Sequence, residues 1–255
     1  MAAKLLLFLF SFALVINAEG QPDPQAIVRK SVLNSQQDWR ASTSWAWTQT
    51  DVSASDDKKE VTVSEMVPLD GTPWERLVMK NGEPLTPEEQ RREDRKFQKA
   101  MKERQSESPS EREARIRKYD DERAFLNDIP EAYNFNLLGA ETIGGRPAWV
   151  VQMTPRPGFV PTAPHASMLK HCEGKLWIDQ EDLRWVKAEA QAKDTVGIGW
   201  FIARVERGAR FTFEQVRVAS GLWLPKHLKV NGLVKVMMLY GKNLNEDVIY
   251  SGYHK

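Results

Sequence analysis

Between residues 143 and 192 the chain alternates short runs of strand-forming residues with turn-forming ones, and this pattern limits the fold most strongly. The first run, AWVVQM at 148–153, follows a Gly-Gly pair and stops at Pro155. Two further runs, 175–179 and 183–188, are separated by a short polar turn. Runs of β-branched and aromatic residues bounded by glycine, proline and acidic residues are typical of strands joined in hairpins. The stretch therefore predicts antiparallel sheet.

Similar runs occur on both sides of this stretch. Short strands about ten residues apart, with turns between them, predict a meander in a sandwich, barrel or half-barrel of about 11–12 strands. Asp70-Gly71 is a hairpin signal, whereas the strand pattern stops at Asn81-Gly82, so we expect no hairpin there. The strands predicted outside the central stretch lie at residues 43–50, 61–67, 74–80, 134–139, 200–205, 211–218, 223–230, 233–240 and 247–253.

One amphipathic helix is predicted before the first strand. Asp23 can cap it and Pro24 suits its first turn. The spacing predicts about four turns, ending near residues 39–40, and one apolar stripe that packs on the sheet. The stripe consists of Ile27, Val28, Val32, Ser35 and Trp39.

Residues 86–133 have a different character, since charges of both signs dominate and strand-forming residues are few. Thr86-Pro87 is a helix start, and 106–110 breaks the segment in two, so we expect a helical hairpin or two hinged helices inserted in the sheet. The insertion is either a solvated, charged excursion or a mobile lid or partner contact. Its sparse apolar edge consists of Phe97, Met101, Ile116, Phe125 and Leu126.

The N-terminus has the layout of a secretory signal peptide. Lys4 precedes an apolar run at 5–16, and Ala18 is a small residue at the expected cleavage site. The run is shorter than the roughly 20 residues that a spanning helix needs. We therefore expect a signal peptide at 1–18, export, and a single mature domain at 19–255. The formal net charge is +1, which argues against binding to nucleic acid.

No motif of a hydrolase, a nucleotide-binding loop or a zinc protease occurs in the chain. His165, His171 and Cys172 are close in sequence, but their spacing fits no established zinc site. Cys172 is the only cysteine, and we interpret it as a partly buried thiol, with intermolecular pairing or redox sensitivity as the alternative. We expect no catalysis, no metal and no cofactor.

Residues 155–164 form a proline-rich loop. Proline stiffens such a segment, which favours a rim loop of fixed shape. The alternative is a gate or docking site with Phe159 and Val160 at its tip.

Alternation along the strands predicts one apolar and one polar face. A strongly curved sheet with a single helix stripe would leave part of its apolar face uncovered, as a pocket. The predicted lining residues are Trp45, Trp47, Trp149, Val151, Met153, Phe211, Phe213, Val236 and Met238.

Four short sequences carry a family resemblance: GGRPAWVVQM at 144–153, GKLWID at 174–179, LRWVKAE at 183–189 and Leu224-Pro225. Together with the signal peptide, helix and meander, they resemble the outer-membrane lipoprotein-sorting superfamily of LolA/LolB-like periplasmic carriers. The resemblance covers most of the mature chain except 86–133. It implies an unclosed β-barrel, mainly β with helices, and a helical lid over an apolar cavity that holds acyl chains.

This resemblance sets the functional expectation. We expect a monomeric, periplasmic, non-catalytic carrier of a lipid or lipoprotein acyl chain, acting in outer-membrane biogenesis. One alternative is an envelope sensor or interaction module without lipid, which contacts a protein partner through 86–133 or 155–164. Another is a hydrolase with a scattered site.

Overall fold

The computed structural model describes residues 22–55, 58–198, 203–232, 234–236 and 245–255. The predicted signal peptide at 1–18 lies outside the described residues. In the part of the chain that the structure describes, no helix is both long and apolar enough to span a membrane.

The helices of the described residues are α1 (Pro24–Ser42), α2 (Pro87–Ser106), α3 (Pro109–Asp121) and α4 (Ile129–Ala132), with 3₁₀ turns at Ala124–Asp128 and Ala166–His171. The strands up to the proline-rich loop are β1 (Ala46–Ser55), β2 (Lys58–Leu69), β3 (Thr72–Lys80), β4 (Glu83–Pro84), β5 (Tyr133–Ile143) and β6 (Arg146–Pro155). The later strands are β7 (Cys172–Asp179), β8 (Trp185–Ala192), β9 (Val196–Ile198), β10 (Ala203–Val205), β11 (Arg210–Ala219), β12 (Leu222–Asn231), β13 (Val234–Val236) and β14 (Asn245–His254).

Within the described residues, eleven strands form one antiparallel sheet in the order β4-β3-β2-β1-β14-β12-β11-β8-β7-β6-β5. The edge strands β4 and β5 do not pair with each other, so the sheet stays open. The remaining strands, β9, β10 and β13, form a small sheet that interrupts the meander after β8 and after β12. The predicted fold class, a mainly β protein with an unclosed antiparallel sheet, an N-terminal helix and a helical insertion, is confirmed.

Helix α1 starts where the sequence predicts. The Asp23 carboxylate accepts a hydrogen bond from the Gln25 backbone N–H (2.9 Å), and Pro24 occupies the first turn. The helix ends at Ser42, slightly later than expected, because two hydroxyl groups donate hydrogen bonds to carbonyl groups of its last turn. Ser42 Oγ donates to Trp39 O (2.6 Å), and Thr43 Oγ1 donates to Arg40 O (2.9 Å).

The turn between β7 and β8 anchors α1 to the sheet. Asn34 Nδ2 donates to Leu183 O (2.9 Å), and Arg184 Nε donates to the buried carboxylate of Asp38 (3.0 Å). Asp179 organises the turn itself, since its fully buried carboxylate accepts two hydrogen bonds from Arg146 (2.6 and 2.8 Å). Burial alone would raise the pKa of Asp179, but the hydrogen bonds from Arg146 and from nearby backbone N–H groups outweigh it and lower that pKa.

The insertion is the predicted pair of helices with a break between them. Thr86 and Ser108 each begin a helix in a capping box, with Glu89 and Glu111 as the reciprocal partners. While Glu111 is engaged in this cap, Arg115 pairs with Glu107 (2.7 Å).

Two arginines of the insertion hold it on the turn between β2 and β3. Arg104 donates to the carbonyls of Leu69 and Thr72, and Arg115 donates to Thr72 Oγ1 (2.9 Å) and Asp70 O (3.1 Å). The helices themselves bury little, since the only buried residue of α2 is Ala100 and α3 has none. Helices α2 and α3 are thus held at the turn while most of their surface remains exposed.

Two local predictions are wrong. Asn81 and Gly82, with φ angles of 52° and 83°, make a tight turn into the two-residue strand β4, so a short hairpin does form there. Phe159 is not at an exposed loop tip but packs in the main core, while Val160 is 74% exposed. The loop is drawn inward because the Asp128 carboxylate accepts hydrogen bonds from Thr162 N and Oγ1, both at 2.6 Å.

The main core lies between α1 and the face of the sheet that α1 covers, called the inner face below. Ile27, Val28 and Val32 of α1 pack there against Val151 of β6 and Ile178 of β7, among other residues. A second, smaller cluster includes Ala148, Val150 and Trp177. Ala148 and Val150 alternate with Val151 along β6, so this cluster lies on the opposite face of that strand.

Candidate functional site: an apolar cavity beneath helix α1

A cavity of about 430 Å³ lies next to the main core, between the second half of α1, the inner face of the sheet and the segment that follows α3. Its lining is mostly apolar. From α1 and the segment after α3 come Ser35, Trp39, Ser42, Glu122, Arg123, Phe125, Leu126 and Ile129. The remaining lining residues are Tyr133, Met153, Met168, Leu169, Cys172, Leu176, Trp185, Ala188, Glu189, Ala190, Phe211, Phe213, Gln215, Trp223, Leu224, Pro225, Leu228 and Tyr250.

Small side chains explain why space remains there. Along α1 the stripe changes from Val28 and Val32, which are buried in the core, to Ser35, which lines the cavity. From the sheet, β8 contributes Ala188 and Ala190. Small residues on both walls leave a volume that packed interiors do not normally contain.

Three polar atoms of lining residues are buried without a hydrogen-bond partner among the described residues: Ser35 Oγ, Trp39 Nε1 and Gln215 Oε1. Buried polar atoms normally find a partner, because an unpaired one costs about 1–3 kcal/mol. Ser35 and Trp39 are four residues apart on α1 and therefore lie on the same side of the helix.

Arg123 contributes a positive charge to this wall. Its guanidinium carbon lies 4.0 Å from the centroid of the Trp39 ring and 5.9 Å from that of Phe213. The residue is half-buried, and desolvation lowers the pKa of the guanidinium from its ordinary value, although arginine stays charged in proteins. Across the described chain, the Arg123 side chain has aromatic contacts but no carboxylate in ion-pair range.

Cys172 lies in the same wall and is buried, as expected of a lone cysteine. Burial raises the pKa of its thiol to about 11, so the thiol is neutral at physiological pH. In the described ranges, no group of three or more His, Cys, Asp or Glu side chains is arranged to hold a metal ion.

The structure brings some of the predicted lining residues to the cavity and not others. Met153, Phe211 and Phe213 line it. Val151 lies in the adjacent core and Trp149 packs against that core.

Trp45 and Trp47 lie away from the cavity lining. Trp47 is near Tyr253, with ring centroids 6.0 Å apart, and Lys255 lies over the Trp45 ring at 5.4 Å. Val236 belongs to β13, and Met238 lies outside the described residues.

Sequence patterns missed Arg123 and Cys172 as lining residues. The helical stripe already contained Ser35 and Trp39, and the apolar edge of the insertion contained Phe125 and Leu126, all of which line the cavity. No signal in the sequence marked Arg123, because it is one of many arginines in a segment rich in charge.

Comparisons with known proteins find solved structures of similar fold but no match among family models or curated proteins. Among solved structures, a LolA superfamily protein from Nitrosomonas europaea matches at 14% identity and a TM-score of 0.34, over 90% of this chain and 92% of its own. A putative outer membrane lipoprotein-sorting protein domain from Vibrio parahaemolyticus matches at 11% identity and a TM-score of 0.35, over 89% and 92%.

A third solved structure, the MucA/MucB complex of Pseudomonas aeruginosa, matches at 11% identity and a TM-score of 0.28, over 88% of this chain and 93% of the matched one. At these values the similarity gives no information about function. The solved structures to which the chain is similar thus include a LolA superfamily protein and a putative outer membrane lipoprotein-sorting protein domain.

Proposed function

We propose that the protein is a non-catalytic carrier that holds an acyl chain in the cavity beneath α1. The observation that supports this most directly is the cavity itself, since its volume of about 430 Å³ falls within the range typical of small-molecule sites. Its walls are mainly aliphatic and aromatic, and among their polar side chains Ser35 and Arg123 lie beside Trp39. Such a wall suits a hydrocarbon chain better than a polar substrate.

Hydrocarbon burial would supply enough affinity. Each buried methylene contributes about 0.8 kcal/mol, so about ten methylenes would contribute about 8 kcal/mol before the cost of immobilising the chain. The cavity lies at the small end of the range for ligand sites, which favours one chain over several. The proposed cargo is therefore a single-chain lipid or one acyl chain of a larger lipid or lipoprotein, carried in the periplasm during outer-membrane biogenesis.

Titration with a fluorescent fatty acid tests the proposal. The natural protein should bind the probe saturably, and native mass spectrometry of protein from a bacterial periplasm should show a co-purified lipid. Ala190→Leu places three additional carbon atoms in the cavity wall and should weaken probe binding about tenfold or more. Ala114→Leu, at an exposed position of α3, is the matched control and should bind normally.

Two results would contradict the carrier function. One is the absence of saturable binding to the natural protein. The other is equal binding by Ala190→Leu and Ala114→Leu, provided that both variants retain the natural circular dichroism spectrum, because the probe would then occupy some other surface.

The exposed insertion supports a second candidate, an envelope interaction module. Helix α2 buries only Ala100 over its whole length, and the Arg104 and Arg115 contacts hold it in place without covering its outer side. Reversing the charges of Arg92 and Lys99, both exposed, should abolish capture of an envelope protein if α2 is the contact surface, while fatty-acid binding should persist. Deletion of 86–133 would be a poorer test, because it also removes the cavity wall at 122–129.

A further inference from the structure

The cavity wall contains a group of hydrogen-bond donors that the protein itself leaves unpaired. Trp39 Nε1 and Ser35 Oγ have no partner among the described residues, and both residues line the cavity. Arg123 lies over the Trp39 ring at 4.0 Å, which brings a third group of donors to the same place. An indole N–H and a guanidinium can only donate, and a hydroxyl can donate as well. We call Ser35, Trp39 and Arg123 the donor cluster.

The charges around the donor cluster leave Arg123 available to a ligand. Glu122 precedes it in sequence and also lines the cavity, but it is exposed and is not within ion-pair distance of the guanidinium. The other lining carboxylate, Glu189, is paired with Lys187 at 2.5 Å. Tyr119 stacks on Trp39 with ring centroids 4.4 Å apart, and its phenol adds no charge at neutral pH, since tyrosine ionises only near pH 10 and burial raises its pKa further.

The remaining unpaired polar atom of the wall, Gln215 Oε1, is an acceptor and does not belong to the donor cluster. An apolar cavity with a cation and two neutral donors on one wall has the chemistry of a site for an amphiphile with an anionic oxygen head group. Guanidinium groups bind carboxylates and phosphates through paired hydrogen bonds, which suits them to such heads.

We propose that the donor cluster binds the anionic head group, a carboxylate or a phosphate monoester, of a single-chain amphiphile whose hydrocarbon tail fills the cavity. This inference rests on the carrier function proposed above and specifies its ligand. Arg123 supplies the charge and Trp39 Nε1 and Ser35 Oγ complete the coordination. The aromatic rings of Trp39 and Phe213, beside the guanidinium, exclude water from part of its surface and strengthen its attraction for an anion.

Competition with a fluorescent fatty-acid probe distinguishes the head groups. The competitors are palmitate, hexadecyl phosphate and hexadecanol, which share a chain length and differ at the head. A hydrogen bond to a charged group raises affinity by about 10- to 100-fold over a ligand that lacks the charge. At least one anionic competitor should therefore bind more tightly than hexadecanol by about that factor. Whichever anion binds more tightly identifies the source as a fatty acid or a phosphate-bearing lipid.

Variants then assign the preference to the donor cluster. Arg123→Gln should reduce the preference for the anion to about twofold or less while hexadecanol binds as before. Arg123→Lys should retain part of it, since the charge remains but the paired geometry is lost. Trp39→Phe keeps the ring beneath the guanidinium and removes one donor, so a loss of about threefold to tenfold in anion binding is expected. Arg117→Gln, at an arginine 65% exposed on α3, is the matched control and should change nothing.

Each failure has a separate meaning. If no competitor displaces the probe and the natural protein binds no chain, the carrier function itself fails. If all three competitors bind the natural protein equally, or if Arg123→Gln keeps the natural preference for the anion, the chain is held without a head-group site and the inference about the donor cluster is overturned. If Arg123→Gln lost its fold, Trp39→Phe would still test the inference, which then requires a loss of anion binding greater than that of hexadecanol.

Discussion

The two halves of helix α1 face the same sheet but meet it differently. In the first half, Val28 and Val32 are buried in a filled core. In the second half, Ser35, Trp39 and Ser42 border a cavity of about 430 Å³. Both halves follow one helical period, so periodicity places them toward the sheet without deciding how well the space between is filled. That depends on the size of the side chains that meet from α1 and from the sheet.

A pair of serines shows the same contrast within two turns. Ser31 is fully buried, donates to Val28 O (2.8 Å) and accepts from Trp185 Nε1 (2.8 Å). Ser35, one turn later, has a buried hydroxyl with no partner among the described residues. One hydroxyl is paired within the core, and the other belongs to a cavity-lining residue and has no partner among the described residues. The same residue type therefore contributes to stability in one half of α1 and to the proposed binding site in the other.

The largest expected effect concerns Cys172, which reports on the cavity half. A pKa of about 11 leaves little thiolate at pH 8, so iodoacetamide should label Cys172 about 100-fold more slowly in the native protein than in the urea-unfolded protein. Mass spectrometry over time measures both rates, and palmitate should slow the native rate further. A native rate close to that of the unfolded chain would mean that water reaches this wall freely.

The next effect tests the filled half. Val28→Ala removes two carbon atoms at a fully buried site and should lower the free energy of unfolding by about 2–3 kcal/mol, from lost burial and from the new void. Urea denaturation monitored by tryptophan fluorescence measures the change. If Val28→Ala lowers the free energy of unfolding by less than about 0.5 kcal/mol, the first half of α1 is packed no more tightly than the cavity half, and the difference between the two halves is not real.

The smallest effects come from the two serines. Ser31→Ala leaves Trp185 Nε1 without its acceptor and should lower the free energy of unfolding by about 1–3 kcal/mol. Ser35→Ala removes a buried hydroxyl that has no partner among the described residues, so it should leave the free energy of unfolding unchanged or raise it by up to about 1–3 kcal/mol. Both variants are compared in the same urea series. Equal costs for the two would contradict the division of α1 into a structural and a ligand-facing half.

Much of the architecture was predictable because local chemistry specifies it. Asp23 and Pro24 mark the start of α1, Thr86-Pro87 marks the start of α2, and residues 106–110 mark the break before α3. Alternating runs and turn residues predicted the antiparallel sheet. Strand alternation also placed Met153, Phe211 and Phe213 on the cavity wall. Strand alternation could not distinguish these lining residues from Val151, which lies on the same face of β6 as Met153 but does not line the cavity.

The sequence by itself determined which residues form helices and strands, where the helices begin and which faces are apolar, because capping, turn geometry and periodicity act between near neighbours in the chain. Only the tertiary structure decided that the inner face is filled beneath one half of α1 and open beneath the other. It also decided that Arg123, from the distant insertion, lies over Trp39. Both outcomes depend on which side chains meet across long separations in sequence, and no local pattern encodes such a meeting.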